Sequence, residues 1–278
     1  GAACVMDIYN GDIISMVSSP AFNPNSFVHG IKKKEWGDLL NDRDKPMINK
    51  AVSGLYPPGS TIKTLTALSA LENDVVSSKL IVKCNGYIDL HGERFHCWKK
   101  KGHGVVGMRT ALKKSCDVYF YEVARRLGID RLSTTAKKFG LGEKVLQNFK
   151  EEKAGVVPDT KWKIKEIGKN WYIGETLHSG IGQGYFLTTP LQLSLMTAQI
   201  ANGGFKIKPR ILIDENDQDS DLQKFLNYKD ATPGNVMSLS DKIFNFDLQP
   251  LFRNQENINL IKEAMFAATN EIGGTSYR

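Results

Sequence analysis

The chain has 278 residues, 41% of them hydrophobic, with 25 glycines and 10 prolines; this balance excludes collagen-like and disordered chains and allows a sizeable core. The 37 Lys and Arg against 30 Asp and Glu give a net charge of +7, with lysine runs at Lys32-Lys33-Lys34 and Lys99-Lys100-Lys101. No zinc-finger, RRM or KH signature accompanies them, so they read as solvated faces and no nucleic-acid partner is expected. No uncharged apolar run reaches about 18 residues, so no membrane span is expected. The start at Gly1-Ala2-Ala3, without Met or a targeting signal, reads as an excised segment of a longer protein.

Ala2 to Ser18 reads as a β-hairpin, because Asn10-Gly11 is a strong tight-turn pair between two apolar runs. Ser19 to Pro58 is a polar, turn-rich connection with at most a short helix near Lys34–Leu40. A helix is predicted from about Ser60 to Asn73. Val75 to Gly107 shows no sustained periodicity. Met108 to Gly128 is helical with a break near Ser115, and Asp130 to Phe139 continues in helix. Gly140 to Gly184 is loop-rich with short elements. Thr189 to Asn202 forms a helix, with Pro190 suited to its first turn, and Asn257 to Asn270 forms the last. Strands at one end with helices after them make the class α+β; a lone hairpin is marginal and wants further strands that these residues do not supply.

Tyr56-Pro57-Pro58-Gly59-Ser60-Thr61-Ile62-Lys63 is the sharpest signal in the chain. The two prolines forbid helix up to that point, Gly59 permits a tight approach, and Lys63 follows Ser60 by one turn. Lys63 is the single charge between Thr61 and Ala70, so the helix reads as buried around most of its circumference. Burial disfavours an ammonium, and a neutral amine in reach of a hydroxyl activates it as a nucleophile. The bland alternative is an N-capping Ser60 beside a lysine that snorkels to water. Ser115-Cys116-Asp117 is a second polar element, with Ser115 placed to relay a proton; Asp117 also reads as a helix N-cap. Cys84, Cys97, His103 and Cys116 are spaced Cys-x12-Cys-x5-His-x12-Cys, a full tetrahedral set for structural zinc. A Cys84–Cys97 disulfide and unrelated buried thiols, Cys4 among the latter, are the competing readings.

Asn49-Lys50-Ala51-Val52, the Ser60-x-x-Lys63 segment and Ser115-Cys116-Asp117-Val118-Tyr119-Phe120 together resemble the transpeptidase domain of the penicillin-binding proteins. The opening strands and Gly182-Gln183-Gly184 before Thr189-Pro190 are similar to that family's corresponding segments. Asp117, where most relatives carry Asn, and Trp98-Lys99-Lys100-Lys101-Gly102-His103-Gly104 resemble the elongation-type class B group, that of penicillin-binding protein 2.

The resemblance implies the fold shared with serine β-lactamases, an antiparallel sheet flanked by helices, and one transpeptidase domain over residues 1–278. It implies peptidoglycan D,D-transpeptidation, inhibited by β-lactams, with Ser60 as nucleophile, Lys63 as general base, Ser115 as proton relay and Asp117 as an orienting or substrate-contacting group. Gln183 and Gly184 would approach the substrate rim. Some relatives bind zinc at positions corresponding to the Cys/His set. Stem peptides, β-lactams, and the glycosyltransferase and scaffold proteins of an elongation complex are the implied partners. The implied location is the periplasmic face of an inner-membrane-anchored protein.

The family's third motif, Lys-Thr-Gly or Lys-Ser-Gly, belongs on a strand after Gly274-Thr275-Ser276-Tyr277-Arg278, where the 278 residues end. The C-terminal strands, the N-terminal anchor and the pedestal are likewise outside them. The expectation is that this stretch alone does not turn over. A serine β-lactamase and a non-catalytic β-lactam-sensing domain are the rival functions; no deacylating carboxylate is apparent in the sequence.

Overall fold

The computed structural model describes residues 1–146, 149–211 and 249–277. The opening hairpin pairs β1 (Ala2–Met6) with β2 (Ile13–Ser18) antiparallel, with a register shift between Val5 and Met6. Asp7 and Asn10 shape its turn: Asp7 Oδ1 accepts from Tyr9 N at 2.7 Å, and Asn10 Oδ1 accepts from Asp12 N at 2.8 Å. Among the described residues this sheet has two strands, extended by a single bridge from Asp12 to Arg210.

The connection that follows carries α1 (Lys33–Asn41), within a residue of the expected short helix, and α2 (Lys50–Ser53), which Asn49 caps. The chain then runs through Pro57-Pro58 into a 3-10 turn, Gly59–Ile62, and continues as α3 (Lys63–Glu72). Lys63 through Leu71 are all buried, and α3 packs against most of the later helices. The charge-poor pattern from Thr61 to Ala70 thus reflects a central helix.

The stretch after α3 differs from the sequence expectation. It contains β3 (Ile81–Cys84), β4 (Tyr87–Leu90), β5 (Glu93–His96) and β6 (Gly104–Gly107). β4 and β5 form a hairpin inserted between β3 and β6, which pair with each other. Each strand has only four residues, too short for a two-residue period to stand out. The hairpin turn is His91-Gly92, with φ of 50° and 86°, a left-handed pair built without the Asn-Gly signature.

Next come α4 (Met108–Lys113), α5 (Asp117–Leu127) and α6 (Ile129–Lys138), with the expected break at Ser115. The loop-rich stretch holds α7 (Thr160–Ile167) and α8 (Ile173–Gly180). Then α9 (Pro190–Ala201) begins on a Thr189/Gln192 capping box with Pro190 in its first turn, and α10 (Gln255–Asn270) starts two residues before the predicted position. The main core runs from α3 through Tyr119, Phe120, Leu132 and Phe139 to Ile258 and Ile261; a second cluster joins the hairpin to α9 through Met6, Leu191 and Leu195. No described helix is long and apolar enough to cross a membrane.

Candidate active site

Ser60 sits in the 3-10 turn rather than in the first turn of α3, and it is exposed, whereas Lys63 at the head of α3 is 1% exposed. The turn is held from two sides. Tyr56 and Thr188 exchange backbone hydrogen bonds at 2.9 Å, and Gly59 N donates to Gly182 O at 2.9 Å. Gly182 has φ of 76°, and a Cβ there would lie 2.1 Å from Gly59 O, so only glycine lets the two backbones meet. Gln183 and Gly184, the predicted rim residues, follow directly and are exposed.

Ser115 lies between α4 and α5 with φ of 49°, a left-handed conformation that costs a serine about 1–3 kcal/mol. That conformation turns its hydroxyl back toward Ser60, to which it donates at 3.0 Å. Asp117 is the first residue of α5, while Cys116 takes the N-cap position; the capping reading of Asp117 is therefore replaced. The carboxylate points away from its own helix end: Oδ1 accepts from Lys63 Nζ at 2.6 Å and Oδ2 from Trp98 N at 2.8 Å.

Lys63 Nζ also donates to Ser115 O and Ser115 Oγ, both at 3.0 Å. An ammonium has three donors, and all three are used on Ser115 and Asp117, which is why Ser60 meets the amine through the Ser115 hydroxyl instead of directly. The result is a chain Ser60–Ser115–Lys63–Asp117, buried at its inner end and open at Ser60. As drawn, every donation runs outward from the Lys63 ammonium; hydroxyl protons rotate, so once Lys63 is a neutral amine the same chain can carry a proton inward from Ser60. The four predicted catalytic residues are brought together.

So are the four predicted metal ligands. Cys84, Cys97, His103 and Cys116 present their ligand atoms within 4.8 Å of one another, mostly buried, and the cysteines are free thiols. His103 Nδ1 lies 3.7 Å from Cys84 Sγ and 3.5 Å from Cys97 Sγ. Tetrahedral zinc with ordinary Zn–S and Zn–N bonds would separate such ligands by about 3.6 Å, so the residues fit the ion. The Cys97 thiol is drawn down to about 5, chiefly by its hydrogen bond with Cys116 and despite burial. The same bond, with burial, pushes the Cys116 thiol up. One of the three sulfurs is thus poised as a thiolate, the ligating form. Cys4 lies apart in β1.

Sequence reasoning did not single out two contacts: Gly182 against the Ser60 turn, and Trp98 on both Asp117 and Ser115. Gly-x-Gly at 182–184 hinted at the first. The position of Trp98 directly after a ligand-type cysteine was the available hint for the second.

The family model of the penicillin binding protein transpeptidase domain matches residues 1–257. Peptidoglycan D,D-transpeptidase MrdA of Acinetobacter baumannii is 42% identical over 214 residues, 76% of this chain and 32% of that protein. MrdA of Salmonella typhimurium is 33% identical over 280 residues, all of this chain and 42% of that protein. Among solved structures, Pseudomonas aeruginosa PBP2 in complex with WCK 5153 superposes with a TM-score of 0.80 at 34% identity, over 99% of this chain and 58% of that one. The Helicobacter pylori PBP2–MreC complex gives 0.83 at 32% identity, over 100% of this chain and 47% of that one. The chain therefore spans well under half the length of those two curated relatives. Its α+β architecture is that of these neighbours, and the chain belongs to the penicillin-binding protein transpeptidase domain family.

Proposed function

We propose that this chain carries the acyl-transfer site of a peptidoglycan D,D-transpeptidase. Starting from Lys63 as a neutral amine with two N–H groups and a lone pair, Ser60 Oγ attacks the carbonyl carbon of a D-Ala-D-Ala peptide bond, its proton passing to Ser115 Oγ while the Ser115 proton passes to the Lys63 Nζ lone pair, which makes the ammonium. The Ser60 ester forms as the C–N bond breaks, and the departing D-alanine amine takes a proton back through Ser115. An amine of a second stem peptide then attacks the ester, loses a proton to the same relay, and frees Ser60. Asp117 orients the Lys63 amine, and Gln183 and Gly184 face the substrate at the rim. A β-lactam amide enters the first half of the cycle. The observation that carries this reading is the continuous hydrogen-bonded chain from exposed Ser60 to buried Lys63 and Asp117.

Residues 1–278 would form one transpeptidase domain. Cys84, Cys97, His103 and Cys116 would hold a structural Zn2+ that ties the β3–β6 hairpins to the N-terminus of α5 and takes no part in bond making. The H. pylori neighbour is a complex with MreC, and a further neighbour, with a TM-score of 0.72 at 29% identity, belongs to a peptidoglycan synthase complex. A scaffold protein and a glycosyltransferase are accordingly the proposed partners, at the periplasmic face of the inner membrane. Neither the site nor the relatives favour the β-lactamase alternative.

The test uses the full-length protein: labelling with fluorescent penicillin, then mapping the modified peptide. Label on the Tyr56–Lys63 peptide that is lost in Ser60→Ala supports the reading, and label elsewhere refutes it.

A further inference from the structure

Trp98 stands where the Cys/His cluster meets the Ser60–Lys63 site. It follows Cys97 in the chain, and its ring lies edge-on to His103 with centroids 5.3 Å apart. Its main-chain N–H donates to Asp117 Oδ2 at 2.8 Å, and its indole Nε1 donates to Ser115 O at 3.0 Å and Lys114 O at 3.1 Å. The residue is nevertheless 59% exposed, so apolar burial does not account for an indole here.

The acceptors explain it. Lys114 O and Ser115 O follow the end of α4, where carbonyls lack partners within the helix, and the indole N–H bridges both. Ser115 O and the Asp117 carboxylate are also the groups that hold Lys63 Nζ. With Oδ2 pinned by Trp98 N, the carboxylate cannot rotate away from the amine. With Ser115 O pinned by the indole, the left-handed Ser115 backbone keeps its hydroxyl aimed at Ser60.

We infer that Trp98 is a positioning residue for acyl transfer: its two N–H groups fix Ser115 and Asp117, and thereby couple the order of the Cys97–His103 loop to the aim of the proton relay. This rests on the acyl-transfer reading above. Because the contact passes through the neighbour of Cys97, no longer pathway is needed.

The test measures acylation of the full-length, metal-replete protein by fluorescent penicillin, separating the binding constant from the chemical rate. Trp98→Phe removes the indole N–H together with part of the ring, and keeps the main-chain N–H. The chemical rate is expected to fall about tenfold, or about 1.4 kcal/mol, with binding changed less than twofold and with metal content and melting temperature retained. Trp98→His restores a donor, since imidazole Nε2 occupies the same ring position as indole Nε1, and is expected to recover most of the lost rate. Weaker binding with an unchanged chemical rate would make Trp98 a substrate-contacting wall and overturn the inference. So would a wild-type rate in Trp98→Phe, or equal rates in the two variants when both are folded and metal-loaded. If Trp98→Phe does not fold, Trp98→His decides: folded with a rate within threefold of wild type supports the inference, and folded with a tenfold lower rate overturns it. Wild-type protein that takes no label at Ser60 would instead remove the acyl-transfer reading, and the role of Trp98 with it.

Discussion

Replacing Asp117 is the most informative perturbation of the site. Its Oδ1 lies 2.6 Å from Lys63 Nζ, and the two side chains are 11% and 1% exposed. At an effective dielectric of about 20 the attraction across that distance is roughly 6 kcal/mol, most of it offset by the cost of desolvating both ions. Removing one partner leaves the other charge buried and uncompensated, which costs about 3–5 kcal/mol. Asp117→Asn is subtler. The carboxylate here accepts from two donors, Lys63 Nζ and Trp98 N, whereas an amide offers one oxygen and turns an NH2 toward the other donor. One buried donor then goes unmet, for about 1–3 kcal/mol in addition to the weakened attraction. Asp117→Asn is therefore expected to lose about 3 kcal/mol, a drop of roughly 6–12 °C in melting temperature at 2–4 °C per kcal/mol. Acylation by penicillin should slow at least tenfold, because the amine loses the group that aims it, and Asp117→Ala should be worse on both counts. Thermal melting and timed labelling check this. An Asn variant that melts within 2 °C of wild type and acylates at the wild-type rate would refute the two-donor account.

Further outcomes follow from other contacts. Protein purified without chelator should contain about one zinc per chain; chelation should lower its melting temperature and make three further thiols reactive to a thiol reagent, whereas metal-free protein two mass units light would establish a disulfide instead. Gly182→Ala should abolish most labelling of Ser60, since its Cβ strikes Gly59 O, while Gly168→Ala, also at positive φ but with nothing within 4 Å, should keep it; equal labelling would show that the Gly59–Gly182 approach does not matter. Hydrogen bonds from Arg109 and then Lys113 hold the Glu271 carboxyl down from its ordinary 4.5 to about 2. A depressed folded-state value stabilises above the unfolded value and loses that contribution as pH falls, so Glu271→Gln should flatten the stability profile between about pH 4.5 and 2; parallel acid-melting curves would contradict it. The effect should be small, because the carboxylate is partly solvated.

Much was legible along the chain because it rests on local chemistry. The Pro-Pro-Gly approach halts helix before Ser60, Thr189-Pro190 starts one, and Asn10-Gly11 closes the first hairpin; each acts within a few residues. A lysine alone in an apolar helix pointed to burial against the alternative of snorkelling to water, and the structure buries it at 1% exposed. The cysteine and histidine spacing within 33 residues offered a cluster beside a disulfide or unrelated thiols, and it is the fold that brings the four ligand atoms within 4.8 Å of one another.

Other features exist only once distant segments meet. The nested hairpins between Ile81 and Gly107 are stabilised by pairing and by their cluster, with strands too short to declare themselves. α7 and α8 are joined by the pair of buried Lys163 with half-buried Glu175, a contact twelve residues apart with no periodic signal. Local sequence placed Ser60 and Lys63 one turn apart and so predicted direct contact. Tertiary packing instead brought Ser115 and Asp117 to the amine, where they take all of its donors. A side chain's reach can be read from its own helix, but its partners are chosen by whatever the fold packs against it.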